Sequence, residues 1–224
     1  MIEEILPPGV ASAEAFDDEA DPGLFPQERA FISNAVEARR REFGTVRRCA
    51  RLALAKLGVP PVPLVPGEDR APRWPAAVVG SMTHCVNYRA AAVACAGTAR
   101  AIGIDAEPNE PLPDDMVDLI ALPGERQRLA GLAARGGVAW DRLLFSCKET
   151  VYKASFPLSR RWLGFEDVAV RVRPGSPAFT ATILARAPVL DGRELTRLSG
   201  RWMARDGLLL TAATVPPAVA GGRP

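Results

Sequence analysis

The sequence predicts an α+β fold, with α/β character in its chain order, made of two halves that each contain one long helix and about three strands. Two segments, 26–58 and 138–156, repeat apolar residues every three or four positions, which is the period of an amphipathic helix. Each is followed by short apolar runs that are typical of strands. With 224 residues and 48% hydrophobic content, the chain can bury a substantial core. The halves share no sequence repeat.

The N-terminal half, residues 1–107, begins with an acidic, proline-containing arm that we expect to be irregular over residues 1–25. The first long helix follows, and the proline-rich stretch 61–75 is expected to form a surface loop. Three strands are predicted after this loop, the last two joined by a hairpin loop at 96–100: 77–82, 88–95 and 101–107.

The C-terminal half, residues 108–224, opens with prolines and two predicted short helices, 114–122 and 125–133, before the second long helix. We expect the tail, 215–224, to be disordered. Four strands are predicted in this half: 166–173, 178–185, 201–205 and 208–215. The two halves are expected to form one unit with a ligand cleft between them.

Charge and motif content exclude several classes of function. The net charge of +2 gives no basic field for nucleic acid, and no apolar run is long enough for a membrane helix. The N-terminus is acidic where a secretory signal would be basic, and the four cysteines form no C-x-x-C pair. The absence of a P-loop, a G-x-G-x-x-G and an H-E-x-x-H motif argues against kinase, dinucleotide-binding and zinc protease functions. We therefore expect a cytoplasmic protein that binds neither nucleic acid nor membrane.

Two carboxylates follow one another on the third predicted strand. In IGIDAEP (102–108), Asp105 and Glu107 project to the same face because strand side chains alternate. Neighbouring carboxylates repel unless a cation lies between them, and Mg²⁺ prefers such oxygen ligands together with phosphate oxygens. The alternative is an ordinary solvated strand face.

The second long helix concentrates rare residues. Only three of the 28 basic residues are lysines, and Lys148 and Lys153 both lie in LLFSCKETVYKASFP (143–157). Glu149 and Lys153 are four residues apart and so share a helix face. They form either a site for phosphate chemistry or an ordinary exposed ion pair.

The only histidine, His84, follows the predicted strand 77–82, and Ser81 and Thr83 supply hydroxyl groups beside it. A metal site would need further ligands and a triad would need a nucleophile at a suitable turn, so contact with a phosphate is the functional interpretation that requires least. A hydrogen-bonded core histidine is the alternative.

The first long helix carries an arginine-rich face that could hold a phosphorylated ligand or an acidic partner. It could equally be solvated and partly neutralised by Glu37 and Glu42. Its members are Arg39, Arg40, Arg41, Arg47, Arg48 and Arg51.

Three motifs in order, GSMTHCVNYRAA (80–91), IGIDAEP (102–108) and FSCKETVYKASFP (145–157), resemble those of 4'-phosphopantetheinyl transferases that activate siderophore, nonribosomal peptide and polyketide synthases. RRREF and RRCAR (39–51), WP (74–75) and WLGFEDV (162–168) support the resemblance, which is close over residues 26–170. Asn87 stands where relatives often have glycine, and asparagine tolerates the left-handed backbone that such a position needs.

The resemblance implies two similar, pseudo-symmetric halves with coenzyme A bound between them. It implies transfer of the phosphopantetheine arm to a serine of an apo acyl or peptidyl carrier protein, with release of adenosine 3',5'-bisphosphate. The implied state is a monomer.

The resemblance also assigns roles to single residues. Asp105, Glu107 and Glu149 match magnesium ligands. Glu149 and Lys153 match the catalytic pair, with Glu149 as the base and Lys153 at the phosphate whose bond breaks. The residues expected to contact coenzyme A are Arg39, Arg47, Thr83, His84, Lys148 and Lys153, Asp105 through the metal, and Arg70 or Arg73 in place of a loop lysine.

Two other functions compete with this one on the same residues. A magnesium-dependent phosphohydrolase or nuclease would use the three carboxylates without a carrier protein. A non-catalytic adaptor would bind an acidic partner through the arginine helix and would not need Asp105.

Overall fold

The computed structural model describes residues 1–132 and 134–217, so the predicted disordered tail from residue 218 onwards lies outside the described residues. The helices are α1 (Pro26–Phe31), α2 (Glu37–Lys56), α3 (Asp114–Ile120), α4 (Pro123–Leu132) and α5 (Trp140–Ser159). In this part of the chain, no helix is both long and apolar enough to cross a membrane.

The strands form two main sheets in which every pairing is antiparallel. The strands are β1 (Ala11–Ala15), β2 (Val78–Cys85), β3 (Tyr88–Cys95), β4 (Ala101–Pro108), β5 (Val168–Val172), β6 (Ala178–Ile183), β7 (Val189–Leu190), β8 (Arg193–Glu194), β9 (Arg197–Arg205) and β10 (Leu208–Val215). The orders are β1-β3-β2 and β4-β10-β9-β6-β5, and β7 pairs with β8 in a small ribbon. The predicted mixed α and β class is confirmed.

Three apolar clusters hold these elements in layers. Helix α2 packs on one face of the three-stranded sheet, where its Leu54 joins Ala91 and Val93 of β3 in one apolar cluster. The opposite face of that sheet packs against Ile104 of β4 and Leu210 of β10. Helix α5 covers the other face of the five-stranded sheet. The order is therefore helix, sheet, sheet, helix, with β4 and β10 at the centre.

Strand β4 is an edge strand of its sheet, and side chains of β2 satisfy part of its backbone. The N–H of Ile104 donates to Ser81 Oγ at 3.1 Å, and the N–H of Ala106 donates to Thr83 Oγ1 at 3.0 Å. Buried backbone donors without partners are costly, so these hydroxyls stabilise the junction of the two sheets. They also bring His84 of β2 close to Asp105 of β4.

Several sequence expectations need correction. The predicted hairpin between β3 and β4 is wrong, because the hydrogen-bonding side of β4 is taken by β10 in the register Thr211 to Asp105. The arm over residues 1–25 is not wholly irregular, since β1 pairs with β3. The first predicted helix is divided between α1 and α2. The left-handed backbone expected at Asn87 is confirmed, with φ of 55°.

Helix α5 lies unusually close to β4 at Gly103. A Cβ atom there would stand 2.0 Å from the Thr150 carbonyl oxygen and 2.9 Å from the Ala154 nitrogen. Both are backbone atoms of α5, so the helix itself would have to move.

We expect Gly103→Ala to destabilise the protein by about 1–3 kcal/mol, because the added methyl group overpacks the junction of α5 and β4. Urea unfolding would measure the loss. Gly131→Ala in α4 is the matched control, because its new Cβ meets nothing within 4 Å and alanine favours a helix. Equal stability of Gly103→Ala and wild type would contradict the close contact.

Candidate active site

A cavity of about 1390 Å³ lies between α2, β2 and α5. The loop at 66–74 closes one side of it. Six of the residues predicted as functional line it, namely Arg39, Arg47, Arg70, Arg73, His84 and Lys153. Residues of α2 and α5, which lie about a hundred positions apart in the chain, thus line one cavity.

Arg39, Glu42 and His84 form a polar triad at the α2 side of this cavity. His84 Nδ1 donates to Glu42 Oε1 at 2.5 Å, and Arg39 Nη1 lies 3.1 Å from His84 Nε2 and 2.5 Å from Glu42 Oε2. The pKa of His84 is lowered, mainly because the ring is buried. The charge of Glu42 opposes this shift, whereas nearby cations, above all Arg39, add to it. His84 is therefore largely neutral at pH 7, with its ring held by the carboxylate.

Arg47 lies deeper in the same wall and is only 8% exposed. Its guanidinium carbon is 3.5 Å from the centre of the Phe43 ring, and its Nε donates to the Leu64 carbonyl oxygen at 3.3 Å. Burial lowers the pKa of Arg47 to about 10, so it remains a cation at neutral pH. An anion in the cavity would meet a fixed positive charge here.

Lys153, which lines the cavity from α5, forms an ion pair with the buried Asp105 of β4. Lys153 Nζ donates to Asp105 Oδ1 at 2.7 Å and to the Ile104 carbonyl oxygen at 3.2 Å. Thr83 Oγ1 donates to the same carboxylate oxygen at 3.3 Å. Within the part of the chain that the structure describes, Asp105 Oδ2 is buried and has no hydrogen-bond partner. Sequence reasoning placed Thr83, Asp105 and Lys153 in three separate motifs, and the fold joins them.

The other two predicted carboxylates lie close to this pair. Arg142 Nη1 donates to Glu107 Oε2 at 3.1 Å. Burial, together with the charge of Asp105, raises the pKa of Glu107 to about 7 despite Arg142. Burial also raises the pKa of Glu149, with Lys153 opposing the shift and Asp105 adding to it. Carboxyls with raised pKa values near a cavity are typical of functional sites.

Comparison with known proteins matches nearly the whole chain to one protein family. A family model described as the 4'-phosphopantetheinyl transferase N-terminal domain matches residues 27–94, and one for the 4'-phosphopantetheinyl transferase superfamily matches residues 101–196. The 4'-phosphopantetheinyl transferase Svp of Streptomyces mobaraensis is 51% identical over 219 residues, 96% of this chain and 89% of its own.

The chain belongs to the 4'-phosphopantetheinyl transferase family. Two further members support this assignment. Npt of Nocardia iowensis is 46% identical over 95% of this chain and 98% of its own, and PptT of Mycobacterium tuberculosis is 44% identical over 95% and 96%.

The structure does not bring Lys148 of this transferase to the cavity. Its Nζ lies 2.8 Å from Glu125 Oε2 and donates to the carbonyl oxygens of Ile120 and Phe165, also at 2.8 Å. The Lys148 and Glu125 side chains are 1% and 2% exposed. The expected phosphate contact does not agree with this position, because every ammonium proton is already used inside the protein.

Most arginines of the α2 face are also structural. Arg51 donates to the buried Glu28 and to the Pro22 carbonyl oxygen, and Arg40 donates to the Ala35 carbonyl oxygen. Of the six, only Arg39 and Arg47 line the cavity. Arg70 lies in the closing loop with φ of 63°, and Arg73 lines the cavity beside it, so either can face a ligand.

Sequence reasoning missed an aromatic wall. Tyr152 packs against Trp162 at 4.8 Å between ring centres and against Phe156 at 5.5 Å, and all three line the cavity. Trp162 is 76% exposed, which is rare for so large an apolar side chain. The i to i+4 spacing of Tyr152 and Phe156 on α5 was the available signal.

The three carboxylates fit a cation, although they are not assembled around one. In the described residues, no group of three His, Cys, Asp or Glu side chains stands close enough to form a complete metal site. Asp105 Oδ2 is nevertheless a buried acceptor without a donor, and two neighbouring carboxyls have raised pKa values. This pattern is expected of carboxylate metal ligands that have too little positive charge beside them.

Lys148→Met should cost about 3–5 kcal/mol of folding stability, because it leaves the Glu125 carboxylate buried without a counter-charge. The double variant Lys148→Met, Glu125→Gln should recover much of the loss, since glutamine keeps an acceptor without the charge. Urea unfolding measures both. If Lys148→Met instead left the stability nearly unchanged and raised the KM for coenzyme A, Lys148 would contact a phosphate after all.

The raised pKa of Glu107 predicts a pH-dependent stability in metal-free buffer. The folded protein keeps this proton up to about pH 7, whereas the unfolded chain loses it near 4.5, so stability falls as pH rises between these values. Glu107→Gln should remove that fall. The difference in free energy of unfolding between the variant and wild type should therefore be roughly 2–3 kcal/mol larger, in favour of the variant, at pH 8 than at pH 4.5. Urea unfolding with EDTA measures this, and exposed Glu110→Gln is the control. Parallel pH curves for wild type and Glu107→Gln would disprove the shift.

Proposed function

We propose that this transferase moves the 4'-phosphopantetheine arm of coenzyme A to the serine hydroxyl of an apo acyl or peptidyl carrier protein, releasing adenosine 3',5'-bisphosphate. The observation that carries the proposal is a cavity lined by the cations Arg39 and Arg47 of α2 and by Lys153 of α5, which pairs with Asp105. That charge pattern suits a ligand with phosphates along its length. The relatives are named as transferases, which leaves the hydrolase and adaptor alternatives without support.

Arg39, Arg47 and His84 are the proposed contacts for the adenosine 3'-phosphate end. In the structure, Glu42 occupies the donors of Arg39 and His84. A phosphate would compete with Glu42 for these donors and raise the pKa of His84 by its negative charge. The aromatic wall of Tyr152, Phe156 and Trp162 is available to the apolar pantetheine arm.

In the reaction, the serine oxygen forms a bond to the β-phosphorus of coenzyme A while that phosphorus loses its bond to the bridging oxygen. Glu149, whose pKa is raised by burial, takes the serine proton directly or through a water molecule. Lys153 stabilises the negative charge on the departing bisphosphate. Mg²⁺ held by Asp105, Glu107 and Glu149 would supply charge neutralisation of the pyrophosphate.

We also propose that the two halves, 1–107 and 108–224, have similar, pseudo-symmetric folds around the cavity. In support of this, each half has one long helix packed on a sheet, α2 in the first and α5 in the second. Strand β4 belongs to both by contact, because it pairs with β10 and receives the side chains of β2. We also propose a monomer, since one chain supplies the cavity, and a cytoplasmic location, which four free cysteines favour.

Intact-mass spectrometry of an apo carrier protein incubated with coenzyme A and Mg²⁺ tests the function. We expect a phosphopantetheine mass increase that EDTA abolishes. Asp105→Asn should slow the transfer at least about 100-fold, because it removes the charge that a cation and Lys153 require. Asp118→Asn, a surface carboxylate paired with Arg126, is the matched control.

Release of adenosine 3',5'-bisphosphate without any carrier protein would favour the hydrolase. Wild-type turnover by Asp105→Asn would exclude the proposed metal and phosphate site.

A further inference from the structure

Three buried hydroxyl groups join helix α5 to strand β10, and we call Ser146, Thr150 and Thr211 the hydroxyl cluster. All three residues are 0% exposed. Thr211 Oγ1 lies 2.8 Å from Ser146 Oγ and 2.6 Å from Thr150 Oγ1, and it donates to the Ser146 carbonyl oxygen at 3.1 Å. The rest of the contact between α5 and the sheet is mainly apolar.

One arrangement of the protons in this cluster satisfies every hydroxyl through Thr211 Oγ1. A threonine hydroxyl has one donor and two acceptor positions. The proton of Thr211 goes to the Ser146 carbonyl oxygen, so its two lone pairs accept from Ser146 and Thr150. Thr211 Oγ1 is then saturated and joins both helix hydroxyls, and Thr150 Oγ1 also lies 3.4 Å from the Thr211 carbonyl oxygen.

The cluster adjoins the catalytic groups on both elements. On the sheet, Thr211 stands directly opposite Asp105 in the register of β10 and β4, so their side chains share a face. On the helix, Ser146 and Thr150 form one row, and Glu149 and Lys153 form the next. A rotation or slide of α5 that broke the cluster would also move Lys153 from Asp105.

We propose that Thr211 is a positioning residue whose three hydrogen bonds fix the rotation and axial position of α5, so that Lys153 and Glu149 meet Asp105. The assignment of roles to these three residues rests on the proposed function. Apolar packing is non-directional and tolerates small slides, whereas hydrogen bonds weaken steeply as their angles change. Gly103 brings the helix close to the sheet, and the hydroxyl cluster selects its position there.

Three variants test this. Thr211→Val keeps the shape but removes all three hydrogen bonds, and Thr211→Ser keeps the hydroxyl. The triple variant Ser146→Ala, Thr150→Val, Thr211→Val removes every hydroxyl, so that no polar group is left buried and unpaired. We measure melting temperature, and kcat and KM for coenzyme A with a carrier protein.

We expect Thr211→Val to lower both melting temperature and kcat, the latter about tenfold, with KM for coenzyme A within about twofold, because a misplaced catalytic group slows the reaction more than it weakens binding. Thr211→Ser should restore kcat. The triple variant should recover the melting temperature but not kcat. Recovery of kcat together with stability in the triple variant would overturn the proposal and leave the cluster a packing feature.

A second measurement is independent of transfer activity. The chain has three lysines, so labelling with ¹³C-lysine gives three ε-carbon NMR signals, and Lys153→Arg identifies that of Lys153. Thr211→Val should move this signal towards its position in Asp105→Asn, while Thr211→Ser should leave it unchanged. An unmoved signal in Thr211→Val overturns the positioning role even if the wild type proves to have no transferase activity, a result that would refute the proposed function alone.

Discussion

The close contact of α5 with β4 is the constraint on which the rest of this structure depends. Without a side chain at Gly103, the helix backbone lies directly on the strand. On one face of β4, Ile102 and Ile104 enter the apolar core between the sheets, while the other face presents Asp105 to Lys153. One strand thus carries both the centre of the hydrophobic core and the ionic site. The position of the proposed catalytic groups is for this reason inseparable from the packing of the protein.

The candidate site concentrates charge at a cost in folding free energy. Asp105 is buried with one oxygen unpaired, and burial raises the pKa values of Glu107 and Glu149. Cations on the opposite wall, Arg39 and Arg47, repel each other as well. The three apolar clusters offset this strain, and a ligand that carries both cation and phosphates would relieve it. The same arrangement that costs folding free energy therefore favours binding of such a ligand.

The sequence was sufficient for local structure and for the neighbours along each element. Helical spacing correctly placed Glu149 and Lys153 on one face, and strand alternation paired Asp105 with Glu107. It was insufficient for long-range pairing, because nothing in residues 96–100 reveals that β4 pairs with a strand about a hundred residues later. Lys148 shows the same limit: it is one residue from Glu149 but turned about 100° around the helix, where only α4 supplies its partner Glu125.

Both edges of the five-stranded sheet are partly occupied by side chains. On β4, Ser81 and Thr83 accept from backbone N–H groups, and on β5 the N–H and carbonyl oxygen of Val170 bond to Glu125 and Arg128 of α4. At these positions an incoming protein finds no free backbone to extend the sheet. A partner that docks at these positions would be recognised through side chains and surface shape, because it cannot add a strand to the sheet there.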